Sequence, residues 1–310
     1  MFTAHRLLDR PLIHVDDDPA LQGNVNGPSL IRVPDWVEGA LGRYYLYFAH
    51  HEGPAIRLAY ADALTGPWTL HPAGALVLAD SLFPTEPPAE ENLDPRVAAI
   101  IKAGFDDLYP HIASPDVLVD HETRRMRMYY HGRHNDGRQL TRVATSSDGL
   151  NFTAHEELLG PPYFRVFTYA DAWYALAMPG VLLRSADGLT DFERGPTCFN
   201  TNMRHSALLH RGDTLHVFWT QVGDAPERIL HSTVALGGDW QQWNNTEPTE
   251  VLRPERAWEG AGLPTEPSRR GSIMRPANQL RDPAILEEDG KAYLLYAVAG
   301  EQGIAIARLD

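Results

Sequence analysis

Three short stretches of the 310-residue chain set a polar side chain beside a proline just before an apolar run: VNGPSLIRV near the N-terminus, HIASPDVLVD at residues 111 to 120, and QLRDPAILE near the C-terminus. They carry Asn26, Asp116, and the neighbours Arg281 and Asp282. A carboxylate there can take a proton, and an imidazole such as that of His205 can exchange one near neutrality. A guanidinium from Arg204 or Arg281 can keep an aspartate ionised or grip a ligand hydroxyl or carboxylate. Among the 14 histidines, His50, His51, His111, His131, His134 and His205 fall in stretches that can share one face, enough imidazoles for a transition metal. No H-E-x-x-H or similar short motif accompanies them, so the identity of any metal ligands is left open. The chain also lacks a G-x-S-x-G elbow, a Walker loop and a G-x-G-x-x-G opening a helix, which removes support for serine-esterase and nucleotide-dependent chemistry.

Composition narrows the class further. A formal charge of −14 disfavours nucleic acid, whose phosphates call for clustered Lys and Arg, and favours neutral or cationic partners. Hydrophobic residues at 43% and charged ones at 22% describe a chain that folds in water. The opening MFTAHRLLDRPLIHVDDD breaks after a few apolar residues, so no signal peptide or membrane span is visible and a cytoplasmic protein is expected. Cys198, the single cysteine, excludes an intrachain disulfide and is expected to be a buried thiol.

The elements that must position these residues are strands. RYYLYFAHH, IRLAYAD, RMRMYYHG, LTRVATSS, TLHVFWTQ and KAYLLYAVAG alternate or concentrate β-branched and aromatic residues between Gly, Asn and Asp punctuation. Only PRVAAIIKAG, residues 95 to 104, reads as a helix, with Asp94 as N-cap. The strands fall into five aligned units, each with the three or four antiparallel strands of a propeller blade. The expected fold is therefore an all-β, five-bladed β-propeller forming a single domain over residues 1 to 310. The fifth unit lacks an outer strand, and PLIHV at residues 11 to 15 is expected to supply it. SSDGLNF and SADGLTDF each place Asp-Gly in a hairpin ahead of an aromatic residue. Residues 80 to 110 and 253 to 280 read as long loops that can wall a site.

In a propeller the innermost strands line the axis, so their entrances converge on one end of the channel. Those entrances carry Asn26 and Gly27, Ser114 and Asp116, Tyr163 and Arg165, Arg204 and His205, and Arg281 and Asp282. The second strands return to the same end, bringing His50, His51, His131, His134, Trp219 and Gln221 to the funnel.

The five-unit pattern, the RDP and SPDV entrances and the S-x-DG hairpins resemble the five-bladed propeller glycosidases of the arabinanase, xylosidase, levansucrase and invertase clan, above all family 43 glycoside hydrolases. The resemblance spans the chain as architecture and implies hydrolysis or transfer at a glycosidic bond by carboxylates at the axis. It also implies that calcium, or another divalent metal, would be a structural ion on the axis and not a required cofactor. Such enzymes carry Asp at the first and third entrances and Glu at the fourth; here those places hold Asn26, Tyr163, and Arg204 with His205. Glycoside cleavage needs a proton donor and a carboxylate. The expected assignment is Asp282 as base, His205 as acid, and Asp116 as orienting group, with Asn26, His50, His51, His111, His131, Arg165, Arg204 and Arg281 contacting a small oligosaccharide at one chain end. Two other readings stay open: a propeller that only binds a saccharide or protein, and a metal-dependent enzyme using the histidines on a non-sugar substrate.

Overall fold

A computed structural model describes residues 2–104 and 108–310. Blade I is built from strands Asn26–Arg32, Tyr44–Ala49, Ala55–Ala61 and Thr69–Val77. Blade II follows with Ile112–Asp120, Arg125–Arg133, Gln139–Ser146 and Thr153–Ala154. Blade III comprises Arg165–Tyr169, Ala172–Ala177, Val181–Ser185 and Glu193–Thr197, and blade IV Met203–Arg211, Thr214–Gln221, Ile229–Ala235 and Thr249–Leu252. Blade V holds Arg281–Glu288, Lys291–Val298 and Gly303–Leu309. Each is an antiparallel sheet in chain order, and the five inner strands neighbour one another in a closed ring, I to II to III to IV to V and back to I.

The ring closes through the N-terminal segment. The edge strand Gly303–Leu309 pairs with Ala4–Arg6 (Ala4 opposite Leu309) and then with Ile13–His14 (Ile13 opposite Ile304). The single closing strand expected at 11 to 15 is thus two short ones, because the edge is longer than one such strand can cover. Both together leave little of it open to other chains.

Middle strands such as Tyr44–Ala49 are buried at every position. They are covered on both faces by neighbouring blades, which is why they read as continuous apolar runs. The buried side chains form clusters between adjacent blades: Ile31, Tyr47, Met128 and Phe152 between I and II; Tyr129, Phe164 and Leu183 between II and III; Tyr174, Trp219 and Trp243 between III and IV; Leu209, Phe218 and Leu294 between IV and V; Leu46 and Leu295 between V and I. Cys198 is buried, its Sγ lies 3.1 Å from the Trp243 carbonyl, and burial pushes the thiol up to about 12.

The two Asp-Gly hairpins act as latches. Asp148 Oδ1 accepts from the amides of Leu150 and Asn151 at 2.8 and 2.9 Å, and Asp187 Oδ1 from those of Leu189 and Thr190 at the same distances. Across the blade boundary, Tyr47 donates its hydroxyl to the Gly149 carbonyl at 2.8 Å, and Tyr129 donates to Gly188 at 2.7 Å. The helix spans Pro95–Lys102, with Asp94 Oδ1 accepting from the Arg96 amide at 2.8 Å as its N-cap. No helix among the described residues is long and apolar enough to cross a membrane.

Candidate active site

The repeated proline-containing stretches are bulges. Pairing between the first two strands of a blade slips between Asn26 and Ser29, Ala113 and Asp116, Met203 and Ser206, and Arg281 and Ala284. Inside three of these slips sit residues with left-handed backbone, Gly27 (φ 55°), Ser114 (φ 50°) and Asp282 (φ 46°), each followed by proline. Proline has no N–H to lose when the ladder is interrupted, and a bulge re-aims the side chain beside it. Holding the non-glycine residues Ser114 and Asp282 in this conformation stores strain of the kind that gathers at functional sites.

Side chains from the blade entrances and the neighbouring strand ends form a ring around one end of the axis. His51 stands 6.1 Å from His111 between ring centroids, His111 6.0 Å from His131, His131 4.3 Å from Tyr163, and Tyr163 4.8 Å from His205. His205 Nδ1 lies 2.9 Å from Asp282 Oδ1, and His51 Nδ1 lies 3.5 Å from Glu301 Oε2, which closes the circuit from blade V to blade I. Below the imidazoles runs an alternating chain of buried charges. Arg204 Nη1 is 3.3 Å from Glu227 Oε2, that oxygen is 3.4 Å from Arg281 Nε, and Arg281 Nη1 is 2.8 Å from Glu301 Oε1. Asn24 donates to Glu301 Oε2 at 2.7 Å, and the Asn26 amide reaches Asn24 Oδ1 at 3.1 Å.

Charge states follow from these contacts. Burial works against an anionic Asp282, yet the adjoining His205 outweighs it and holds the carboxyl below its ordinary range. Burial likewise opposes ionisation of Glu301, and His51, Arg281 and Asn24 together push that carboxyl far down. Burial lowers His205 despite the pull of Asp282, so the imidazole is neutral near pH 7. It lowers His131 much further, with His111 and His51 adding to the effect. The His205 Nδ1 contact with Asp282 Oδ1 requires an Nδ1–H, whereas the 3.3 Å approach of the Asp282 amide requires a bare Nδ1. The shorter contact and the ionised carboxylate favour Nδ1–H, leaving Nε2 as the proton acceptor.

Other expected residues lie apart from this pair. Asp116 sits deeper, beside a cavity of about 70 Å³ in the channel, far below the size of an ordinary ligand pocket. There it accepts from the Val166 amide at 2.8 Å, and burial raises its carboxyl against the pull of Arg165. Arg165 spans the channel, donating to the carbonyls of Pro115 and Ser206 at 2.9 Å each, and so braces blades II, III and IV. His50 Nδ1 accepts from the Glu52 amide at 3.0 Å within its own turn. His134 pairs with Asp136 at 3.1 Å on a partly exposed hairpin, and the Trp219 indole donates to Ser232 in the core. His111 Nδ1 lies 2.8 Å from the Tyr109 carbonyl.

Glu227, Glu301 and Asn24 were absent from the sequence-based set. Both glutamates lie in the links between second and third strands, in APERIL and GEQGIAI, two residues before the third strands of blades IV and V. A glutamate in such a link ordinarily faces solvent; the hint was the shared register of two acidic residues in consecutive repeats. Both long loops do border the mouth. Carbonyls of Arg269 and Gly271 accept from Arg204 at 2.9 and 3.1 Å, Gly271 accepts again from Arg281 at 3.2 Å, and Tyr109 accepts from Arg133 at 3.3 Å. Among the described residues no three His, Cys, Asp or Glu side chains converge as metal ligands do, and Asp282, Glu227 and Glu301 are each engaged by a histidine or arginine. Among the described residues at this end of the axis, no ligand set for the calcium or transition-metal centre expected from the sequence comes together.

No protein-family profile matches the chain. An uncharacterized protein, R118 of Acanthamoeba polyphaga mimivirus, is 37% identical over 312 residues, covering 92% of this chain and 83% of the viral one. Solved structures with the same fold include family 43 glycoside hydrolases. One, a β-xylosidase/α-arabinofuranosidase from a compost microbial metagenome in complex with xylotriose, aligns at TM-score 0.60 and 11% identity over 99% of this chain and 94% of its own. A thermostable family 43 glycoside hydrolase aligns at 0.56 and 14% over 93% and 89%. A third, from Xanthomonas citri and complexed with xylotriose, aligns at 0.56 and 10% over 99% and 88%.

Proposed function

The chain belongs to the same family as the uncharacterized protein R118 of Acanthamoeba polyphaga mimivirus, and we propose that it cleaves a glycosidic bond at the end of a small saccharide, with His205 and Asp282 as its proton-handling pair. The observation that carries this reading is the 2.9 Å contact between these two buried side chains at the axis. An ionised carboxylate that fixes one imidazole nitrogen and leaves the other to receive a proton is an arrangement used for general-base chemistry. It divides the roles differently from the sequence expectation: a neutral His205 takes the proton of the attacking water, Asp282 steadies the imidazolium that forms, and that imidazolium gives the proton to the departing glycosidic oxygen. Arg281 helps to hold Glu301 ionised, and Arg204 does the same for Asp282. The propeller fold shared with the family 43 structures, two of them complexed with xylotriose, supports a saccharide as the substrate.

A second reading, a propeller that binds a saccharide without cleaving it, is favoured by the way Glu227 and Glu301 are tied to arginines and by the absence of carboxylates at the entrances held by Asn26 and Tyr163. The two readings separate in one assay: product release from arabino-, xylo-, fructo-, galacto- and agaro-oligosaccharides by the wild type and by Asp282→Asn. The expected result is cleavage by the wild type and a loss of roughly a hundredfold or more in the variant, about 2.7 kcal/mol of transition-state stabilisation. Binding with no cleavage of any sugar by the folded wild type establishes the second reading instead.

A further inference from the structure

Glu227 is buried completely, and only one of its carboxylate oxygens is used. Oε2 lies between the guanidinium groups of Arg204 and Arg281, while Oε1 has no hydrogen-bond partner among the described residues. An ionised carboxylate has room for about four hydrogen bonds, and an unsatisfied charged acceptor inside a protein costs more than a neutral one. Two further buried atoms from neighbouring blades are in the same condition: Asn26 Oδ1 of blade I and His131 Nδ1 of blade II. Asn26 touches Glu301, Glu301 touches Arg281, and Arg281 touches Glu227, so the first and last members belong to one connected polar cluster. His131 joins the same end of the axis through Tyr163 and His205.

Most of the donors at this end, by contrast, are engaged. Arg204 gives hydrogens to Glu227 and to the carbonyls of Arg269 and Gly271; Arg281 gives hydrogens to Gln279, Gly271 and Glu301; the Asn26 amide donates to Asn24 and Glu301, and the Asn24 amide to Glu301 and the Ile273 carbonyl. The buried carboxylate and amide atoms of this cluster left without a partner, Glu227 Oε1 and Asn26 Oδ1, are acceptors. Resting on the saccharide reading above, we propose that Glu227 Oε1, with Asn26 Oδ1 and His131 Nδ1, is the set that reads substrate hydroxyl groups, with Glu227 the member that sets specificity. A hydroxyl supplies the missing hydrogen without adding charge. An anionic sugar would bring further acceptors against two that can only accept. An amino sugar would place its ammonium beside a carboxylate already balanced by Arg204 and Arg281.

Glu227→Gln tests this with almost no change in shape. The two arginines hold the new amide oxygen, which leaves an NH2 donor where Oε1 was. Affinities of neutral oligosaccharides, and of uronic-acid, sulfated and amino counterparts, are measured by calorimetry for the wild type and the variant, with thermal melting as a control on folding. We expect neutral sugars to bind best and the variant to lose roughly 10- to 100-fold, the range for a hydrogen bond to a charged group. A set of monodeoxy analogues of the best ligand supplies a readout that a purely structural role would not move: the deoxygenation costing the wild type most should cost Glu227→Gln nothing further. Equal affinity in wild type and variant, a full deoxygenation penalty retained in the variant, or anionic sugars binding as tightly as neutral ones would each overturn the proposal. Cleavage that survives in Glu227→Gln at unchanged KM removes Glu227 from substrate contact while leaving the glycosidase reading in place. Tight hydroxyl-dependent binding without any cleavage does the reverse.

Discussion

His205 and Asp282 act on each other in opposite senses, and that reciprocity can be measured without knowing the substrate. Burial lowers the imidazole, and the Asp282 carboxylate restores part of the loss. Removing that negative charge with Asp282→Asn must therefore depress the imidazole further. In an NMR titration the His205 ring of the wild type should change state below pH 6.5, the ordinary histidine value, and that of Asp282→Asn lower still. A wild-type midpoint above 6.5, or an upward move in the variant, would refute the neutral-base assignment. These two residues were legible in the chain because each stands at a strand entrance with recognisable punctuation. Glu227 and Glu301 were not, since a glutamate in a link between strands looks solvent-exposed until arginines from the blade entrances are known to reach it.

At the scale of elements, the blade entrance is the unit that decides where side chains go. Gly27 shows how tightly adjacent entrances fit: a Cβ there would lie 2.7 Å from Ser114 Cα and 2.9 Å from Ser114 Oγ, on a backbone already at φ 55°. Gly27→Ala combines a left-handed penalty with a collision between blades I and II, and should cost about 2–4 kcal/mol in urea unfolding. A change under about 0.5 kcal/mol, the scale of an ordinary surface substitution, would mean that the two entrances do not meet as described. Strand positions and the five repeats were readable because period-two patterns and Asp-Gly turns are local properties. The course of residues 269 to 273 over the mouth was not, because a loop held by its own carbonyls to Arg204 and Arg281 leaves no side-chain pattern to read.

Across the whole molecule, closure and acid sensitivity meet at the N-terminal segment. Phe2 packs edge-on at 5.1 Å against both His216 and His231, whose rings stack 5.3 Å apart, and burial with the neighbouring His216 lowers His231 to about 4. The strand Ala4–Arg6 that follows is one of the two that seal blade V. At the axis His131 and His205 are also held neutral by burial. All three histidines resist protonation when folded and accept it near pH 6.5 when unfolded. Below that value the unfolded chain binds more protons, so the stability they contribute is complete above pH 6.5 and declines as pH falls. Asp282 and Glu301, held below their ordinary values, lose their contribution in the same direction but only further down, beneath about pH 4. The urea midpoint should therefore be level above about pH 7 and fall in two stages, the first with a slope of up to about 1.4 kcal/mol per pH unit for each fully buried histidine. Because a closed ring cannot lose one blade contact and keep the others, both the axis and the N-terminal seal should fail in one transition. Followed together, the tryptophan fluorescence of blades III and IV and the proteolytic release of the N-terminal segment should have coincident midpoints at pH 5. A midpoint as high at pH 5 as at pH 7.5 would show that these histidines titrate normally in the fold.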